Sequence, residues 1–194
     1  IGEAMGGMRY VVGDPATPPS RLGISIGDSL AATFACLGAL SALHYREKTG
    51  RGQVVDSAIY EAVLAMMESL ITDYDKRGFI RERTGAILPN VAPSNVYPTT
   101  DGLVLIAANQ DGVFARLCIA MGEPGLAQDP RYSTHQARGA RQAELDAHIG
   151  LWTATLSTRA VLEILARAET AVPSGLIYRA PDMLSDPHFE ARRS

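Results

Sequence analysis

A run from Ser29 to Lys48 that is apolar on nearly every face constrains this chain more than any other feature. Its spacing is helical, and Ala and Gly fill the positions between the large side chains, which are Leu30, Phe34, Leu37, Leu40 and Leu43. A helix that is apolar all round is stable only when it is covered on every side. The run therefore predicts a buried helix, and one that its short flanking elements cannot cover by themselves.

An acidic residue, Asp28, stands at the start of this helix. The apolar run over 22–26 predicts a buried strand, Gly27 predicts a turn, and Asp28 then falls in the first turn of the helix. The unpaired N–H groups and the positive end of the helix dipole keep a carboxylate there ionised and oriented. Two interpretations remain open: Asp28 caps the helix, or it is a reactive carboxylate.

A second strand and a second helix are predicted after the apolar run. Glycines over 49–52 end the first helix, and 53–56 predicts a short strand. A long helix is then predicted from Ser57 to about Gly78, with small residues along one face that allow close packing on another helix.

The chain is predicted to contain two domains. We place a first domain over 1–78, a Gly-, Pro- and Asn-rich connector over 79–95, and a small α+β domain over 96–194. The second domain is predicted to contain a hairpin of 95–99 and 103–108, helices over 113–121, 142–153 and 158–168, and a strand over 171–178. Pro173 and Gly175 assign that last strand to a sheet edge or a bulge.

Composition narrows the class of protein. A net charge of −3 over 194 residues, without a basic run, argues against nucleic acid as a partner. The sequence shows no signal peptide, and the stretch over 29–43 is too short and too rich in Ala and Gly for a membrane span. Cys36 and Cys118 lie in apolar helical patterns, which is typical of buried thiols in a reducing compartment. We therefore expect a cytoplasmic protein without a membrane partner.

Four segments together resemble one enzyme family. They are EAMGGMRYVVGDPATPP from Glu3, IGDS from Ile26, HYREKTGRGQVVDSAIYEAV from His44, and NVYPTTDGLVLIAANQDGVFARLCIAMG from Asn95. In this order they resemble the family III (CaiB/BaiF) CoA-transferases, which include formyl-CoA:oxalate CoA-transferase and have the 2-methylacyl-CoA racemases as relatives.

The resemblance implies an architecture. Members are α/β proteins in which a Rossmann-like, CoA-binding large domain is followed by a small α+β domain, and two chains form an interlocked dimer. They are also longer than this chain, which on that comparison corresponds to an internal part of the family's sequence. We accordingly expect a homodimer.

The resemblance also implies a reaction. Asp28 would attack the thioester of an acyl-CoA, and CoA would pass to a small carboxylic acid through aspartyl anhydride and thioester intermediates, without a metal. N–H groups near Gly27 and Ser29 would stabilise the oxyanion. A loop over 88–94, with Asn90, Pro93 and Ser94 as candidates, would cover the intermediate.

The residues that would bind coenzyme A are harder to identify. Arg46, Lys48 and Arg51 could meet a CoA phosphate, although basic residues at a helix C-terminus are common for structural reasons alone. Two other functions also remain open. The chain could act as a 2-methylacyl-CoA racemase, which needs a second acid–base group, or as a catalytically incomplete structural piece of such an enzyme.

Overall fold

The computed structural model describes residues 1–193, which form two compact units. The first unit is Ile1–Gly85, and the second begins at Ala86. The division between them lies inside the 79–95 stretch that the sequence marks as a connector.

The first unit is helical throughout its regular structure. Its helices are α1 (Gly2–Met5), α2 (Met8–Val11), α3 (Ile26–Thr49), α4 (Ile59–Leu64) and α5 (Leu70–Arg77). Helix α3, the predicted apolar helix, has 24 residues and stops at Gly50, whose φ of 72° lies in the left-handed region that favours glycine. Helix α1 packs against both α3 and α4.

The two strands predicted in this unit do not form. Residues 22–25 and 50–58 have no regular structure, and Val54, expected in a strand, is 94% exposed. A strand is stable only when its N–H and C=O groups pair with a neighbouring strand, and no strand lies among the described residues of the first unit. Both predictions of a strand are therefore wrong for the chain as described.

The second long helix of the prediction is interrupted. Helix α4 ends at Leu64 and α5 begins at Leu70, and between them Glu68 has a φ of 54°. The N–H groups of Met66 and Met67 donate to carbonyls three residues earlier, so the backbone tightens into turns before it reverses. The small-residue pattern did not reveal this break.

The second unit combines helices with a small antiparallel sheet, as predicted. The sheet has the order β1 (Ser94–Pro98), β2 (Leu103–Ala107), β3 (Ser174–Leu176). Ser94 lies opposite Ala107 in the hairpin, and Val104 of β2 lies opposite Leu176 of β3. Strand β3 is thus an edge strand, as predicted, but it includes only Ser174–Leu176 of the predicted 171–178, so Pro173 precedes it.

Helices cover the sheet and enclose one apolar core. They are α6 (Asp111–Ala120), α8 (Gln142–Thr153) and α9 (Thr158–Leu165), with a 3₁₀ turn over Pro124–Gln128, whereas α7 (His135–Ala140), α10 (Ala180–Ser185) and α11 (Pro187–Arg192) contribute no apolar side chain to that core. Side chains with no exposed surface include Val104 and Ile106 of the sheet, Leu117 of α6, Ile149 of α8 and Leu165 of α9. This unit therefore has a hydrophobic core of its own.

Helix α3 by contrast is almost uncovered. Only Gly27 among its residues is buried, and Leu37 and Leu40 are 55% and 59% exposed. Cys36, predicted to be buried, is exposed for the same reason, whereas Cys118 is buried as predicted. With 24 residues, α3 is also long and apolar enough to cross a membrane, so the sequence argument that it is too short does not hold.

Candidate active site

Asp28 lies in the first turn of α3 but does not cap it. The N-cap is Ser25, Ile26 is the first helical residue and Asp28 the third. Among residues 1–193 the Asp28 carboxylate has no hydrogen-bond or ion-pair partner. Asp28 is therefore a free carboxylate at the positive end of a helix, and the interpretation of it as an N-cap is not supported.

Gly27 allows the first turn of α3 to approach α4 closely. A Cβ atom at position 27 would lie 2.9 Å from Cγ2 of Ile59 and 3.5 Å from Cγ2 of Val63. The residue is buried, so the absence of a side chain brings the backbone beside Asp28 into contact with α4. A larger residue would force either the Ile59 side chain or the helix start that carries the carboxylate to shift.

The two predicted oxyanion donors differ in their availability. The N–H group of Ser29 donates to the Ser25 carbonyl oxygen at 3.2 Å, and the Ser29 hydroxyl donates to the same oxygen at 3.2 Å. The N–H group of Gly27 belongs to the first turn, where a helix offers no acceptor. Of the two, Gly27 is the donor that the helix leaves open.

Asp28 and Gly27 line a cavity of about 340 Å³ in the first unit, here called the Asp28 cavity. Its other charged lining residues are Glu3, Arg9 and Arg21. One oxygen of Glu3, Oε2, is buried without a hydrogen bond and lies 3.8 Å from Nη2 of Arg9. Pockets for small molecules start at roughly 300 Å³, so this cavity is large enough for a small acid.

Sequence reasoning missed these three charged residues. Glu3 lies in α1 and Arg9 in α2, while Arg21 stands in the irregular segment before α3. No periodic pattern links them to Asp28, because a turn-rich segment of the chain brings them together. The one available signal was Arg21 itself, a cation seven residues before the acid and directly before the apolar run over 22–26.

The candidate CoA-binding residues lie at the opposite end of α3. At 1.5 Å per residue, Arg46 is about 27 Å along the helix axis from Asp28. Lys48 lies in the same last turn, where both cations oppose the negative end of the helix dipole, and Arg51 follows the helix end. None of the three lines the Asp28 cavity.

The candidate loop residues belong to the second unit, where the loop is extensively hydrogen-bonded. Gln142 accepts from the N–H of Asn90 at 3.1 Å and donates to the carbonyls of Leu88 and Val91 at 3.2 Å. The Pro93 carbonyl accepts from Ala108 at 2.8 Å. Ser94 is the first residue of β1 and not part of a loop.

A close backbone contact holds the same loop. A Cβ atom at Gly139 would lie 2.7 Å from the carbonyl oxygen of Asn90, so glycine lets α7 touch the loop directly. Asn90 itself has a φ of 64°, a left-handed conformation that asparagine tolerates better than most residues. The loop over 88–94 thus contacts α7 through Gly139 and is hydrogen-bonded to α8 through Gln142.

Comparison with known proteins places the chain in a family. The model of CoA-transferase family III matches residues 1–194. The chain is 62% identical to succinyl-CoA–D-citramalate CoA-transferase of Chloroflexus aurantiacus, covering all of this chain and 48% of that protein. It is 35% identical to succinyl-CoA:mesaconate CoA-transferase of Haloarcula hispanica, covering 99% of this chain and 47% of that protein.

Solved structures show the same fold. A CaiB/BaiF family protein from Brucella suis superposes with a TM-score of 0.83 at 31% identity, over 98% of this chain and 50% of that one. A protein from Mycobacterium tuberculosis superposes with a TM-score of 0.82 at 22% identity, over 98% of this chain and 50% of that one. The chain spans about half the length of the curated relatives it matches. It belongs to CoA-transferase family III.

Proposed function

We propose that the protein transfers CoA between an acyl-CoA thioester and a free carboxylic acid, with Asp28 as the nucleophile. The observation that carries the proposal is the unpaired Asp28 carboxylate, held at a helix N-terminus in a cavity beside the open N–H of Gly27. The family match supports the reaction class.

The reaction needs a carboxylate that is both a nucleophile and a leaving group. An oxygen of Asp28 attacks the thioester carbonyl carbon, the C–S bond breaks, and CoA leaves as a thiolate, giving a mixed anhydride. The thiolate then attacks the Asp28 carbonyl carbon and expels the first acid as its carboxylate. The resulting aspartyl thioester reacts with the second carboxylate by the same two steps in reverse, which regenerates Asp28 without net transfer of a proton.

Gly27 is proposed to stabilise the charge that develops in each step. Every addition places a negative charge on a carbonyl oxygen next to the first turn of α3. The N–H of Gly27 and the positive end of the helix dipole both oppose that charge. Coenzyme A is thus a substrate in this scheme, and no step calls for a metal.

The substrates are proposed to be small dicarboxylic acids. The relatives with 62% and 35% identity are named for succinyl-CoA with D-citramalate or mesaconate. Another relative, from Agrobacterium fabrum and 32% identical, is named succinate–glutarate CoA-transferase. All of these acids carry a second carboxylate besides the one that receives CoA.

We further propose that α3 is the core helix of a Rossmann-like large domain in a cytoplasmic homodimer. The first unit buries few apolar side chains, among them Val63 and Met67, so it cannot cover the leucines of α3. Each exposed leucine forgoes about 1.5–3 kcal/mol of burial. Cover by polypeptide and not by lipid is supported by the match to the Brucella suis structure, which includes 98% of this chain.

In this arrangement residues 1–78 belong to the large domain, 79–95 connect the domains, and 96–194 form the small domain. The covering segments would come from the rest of the large domain and from the partner subunit. Arg46, Lys48 and Arg51 remain candidates for a CoA phosphate, because the far end of α3 is exposed and basic.

Asp28→Ala in the full-length protein tests the proposal. We expect CoA exchange between succinyl-CoA and D-citramalate to disappear, whereas stability should fall by only about 0.3–1 kcal/mol, the value of an acid in a first helical turn. Asp75→Ala is the matched control, because Asp75 is an exposed acid of the same unit whose recorded partner is the exposed Lys76. Hydroxylamine added with succinyl-CoA should convert Asp28 to a hydroxamate that mass spectrometry can locate.

Two outcomes would contradict the proposal. Exchange that survives in a folded Asp28→Ala variant would exclude the covalent mechanism. Exchange of the substrate α-proton with solvent, without CoA transfer, would instead identify a racemase.

A further inference from the structure

Of the two arginines that line the Asp28 cavity, one has an acidic partner and the other has none among residues 1–193. Arg9 faces the buried carboxylate of Glu3 at 3.8 Å, and the Glu3 side chain is only 12% exposed. Arg21 lines the same cavity, yet it has no hydrogen-bond or ion-pair partner among residues 1–193. Glu3 therefore balances the charge of Arg9, and Arg21 is the cation that remains available to a ligand.

The charge of the cavity changes during the proposed reaction, on which this inference rests. Free Asp28 carries a negative charge in the same cavity as the positive charge of Arg21. Once Asp28 is acylated, as an anhydride or a thioester, it is neutral, and the positive charge of Arg21 is unbalanced. A substrate that brings its own negative charge restores the balance at that moment.

We propose that Arg21 binds the second carboxylate of the substrate, the one that does not receive CoA. A guanidinium presents two parallel N–H donors that match a carboxylate, and it keeps its charge at every relevant pH. The cavity of about 340 Å³ holds Arg21 and Asp28 together, so one small diacid can meet both. Arg21 thereby selects dicarboxylic over monocarboxylic acids.

The test compares two acceptors at a fixed concentration of succinyl-CoA in the full-length protein. One is succinate, supplied with an isotopic label, and the other is butyrate, in which a methyl group replaces the distal carboxylate. Because the donor is the same, any effect of Arg21 on the first half-reaction cancels in the ratio of the two kcat/KM values. We expect Arg21→Gln to reduce the succinate-to-butyrate ratio about 10- to 150-fold, the value of a hydrogen bond to a charged group.

Two further variants make the comparison specific. Arg21→Lys keeps the charge but loses the paired donors, so the ratio should fall less than in Arg21→Gln. Lys76→Gln removes one positive charge elsewhere in the same unit and should leave the ratio unchanged. Arg21 is exposed and has no hydrogen-bond or ion-pair partner among residues 1–193, and the ion pair of Lys76 with Asp75 is exposed on both sides, so the thermal midpoints of all three variants should stay close to that of the unchanged protein.

The outcomes separate this inference from the proposed function. If the unchanged protein transfers CoA and Arg21→Gln lowers succinate and butyrate alike, the assignment of Arg21 is overturned and the transferase function stands. If the unchanged protein transfers CoA to neither acid, the proposed function fails and the inference fails with it. A selective loss of succinate in Arg21→Gln, with a smaller loss in Arg21→Lys, supports the assignment.

Discussion

Arg138 is expected to contribute several kcal/mol to the stability of the second unit, although it is a charged residue in a hydrophobic core. Its side chain has no exposed surface, and the guanidinium carbon lies 4.6 Å from the ring centre of Phe114. It donates to the carbonyls of Ala92 at 3.1 Å, Tyr132 at 2.9 Å and Asn109 at 2.7 Å, and to the carboxylate of Asp111 at 2.7 Å. The guanidinium also holds the pKa of Asp111 below its usual range.

The loss in free energy of unfolding caused by Arg138→Met depends on which acceptors lose their only hydrogen-bond donor. Asp111 is 62% exposed and regains water, and the Asn109 carbonyl keeps the ring of His135 at 3.0 Å. The carbonyls of Ala92 and Tyr132 are left without a donor, at about 1–3 kcal/mol each. The expected loss is therefore about 2–6 kcal/mol.

Denaturant unfolding followed by tryptophan fluorescence measures this loss. Trp152 packs on the core of the second unit, so its fluorescence reports the unfolding of that unit. Arg141→Met is the control, because Arg141 is exposed three residues away and such changes usually cost less than about 0.5 kcal/mol. A loss below about 1 kcal/mol for Arg138→Met, or one equal to that of Arg141→Met, would refute the reasoning.

Two other predictions concern titration and thiol access. Hydrogen bonds from Thr158 and Thr99 hold the pKa of Asp101 below its usual range. The resulting stabilisation is present above about pH 4 and is lost as the pH falls through the lower pKa of the folded state. In Asp101→Asn the free energy of unfolding should therefore fall less steeply as the pH is lowered below about 4 than in the unchanged protein. An equally steep fall in both proteins would contradict this prediction. Burial raises the pKa of Cys118 to about 11, and the proposed cover over α3 should protect Cys36 as well. In the full-length protein Cys36 and Cys118 should then react slowly with Ellman's reagent, and fast modification of Cys36, located by mass spectrometry, would show α3 to be uncovered.

Much of the second unit could be predicted from local sequence. The turn over 100–102 between two β-prone runs specified the hairpin of β1 and β2, and α8 begins and ends where its pattern indicated. Such elements satisfy their own backbone groups or pair with an adjacent strand. Arg138 could not be predicted to be buried, because its acceptors come from three separate parts of the chain.

Much less of the first unit could be predicted from local sequence. Strands at 22–26 and 53–56 looked as plausible as those of the hairpin, but their partners are not adjacent in sequence, and none lies among the described residues. Helix α3 could be predicted from its composition alone. Its exposure could not, because burial depends on what packs against a helix and not on the helix itself.

The residues of the candidate active site likewise differ in whether local sequence could predict them. The position of Asp28 in the first turn of an apolar helix could be predicted, because a glycine, a carboxylate and a long apolar run follow one another along the chain. The charges that share a cavity with Asp28 could not be predicted, because they depend on the packing of separate segments. Packing of α1 against α3 and α4 brings Glu3 into the Asp28 cavity, and the irregular segment before α3 places Arg21 there. Contacts between residues far apart in sequence depend on how the chain turns back on itself, and no local pattern records that path.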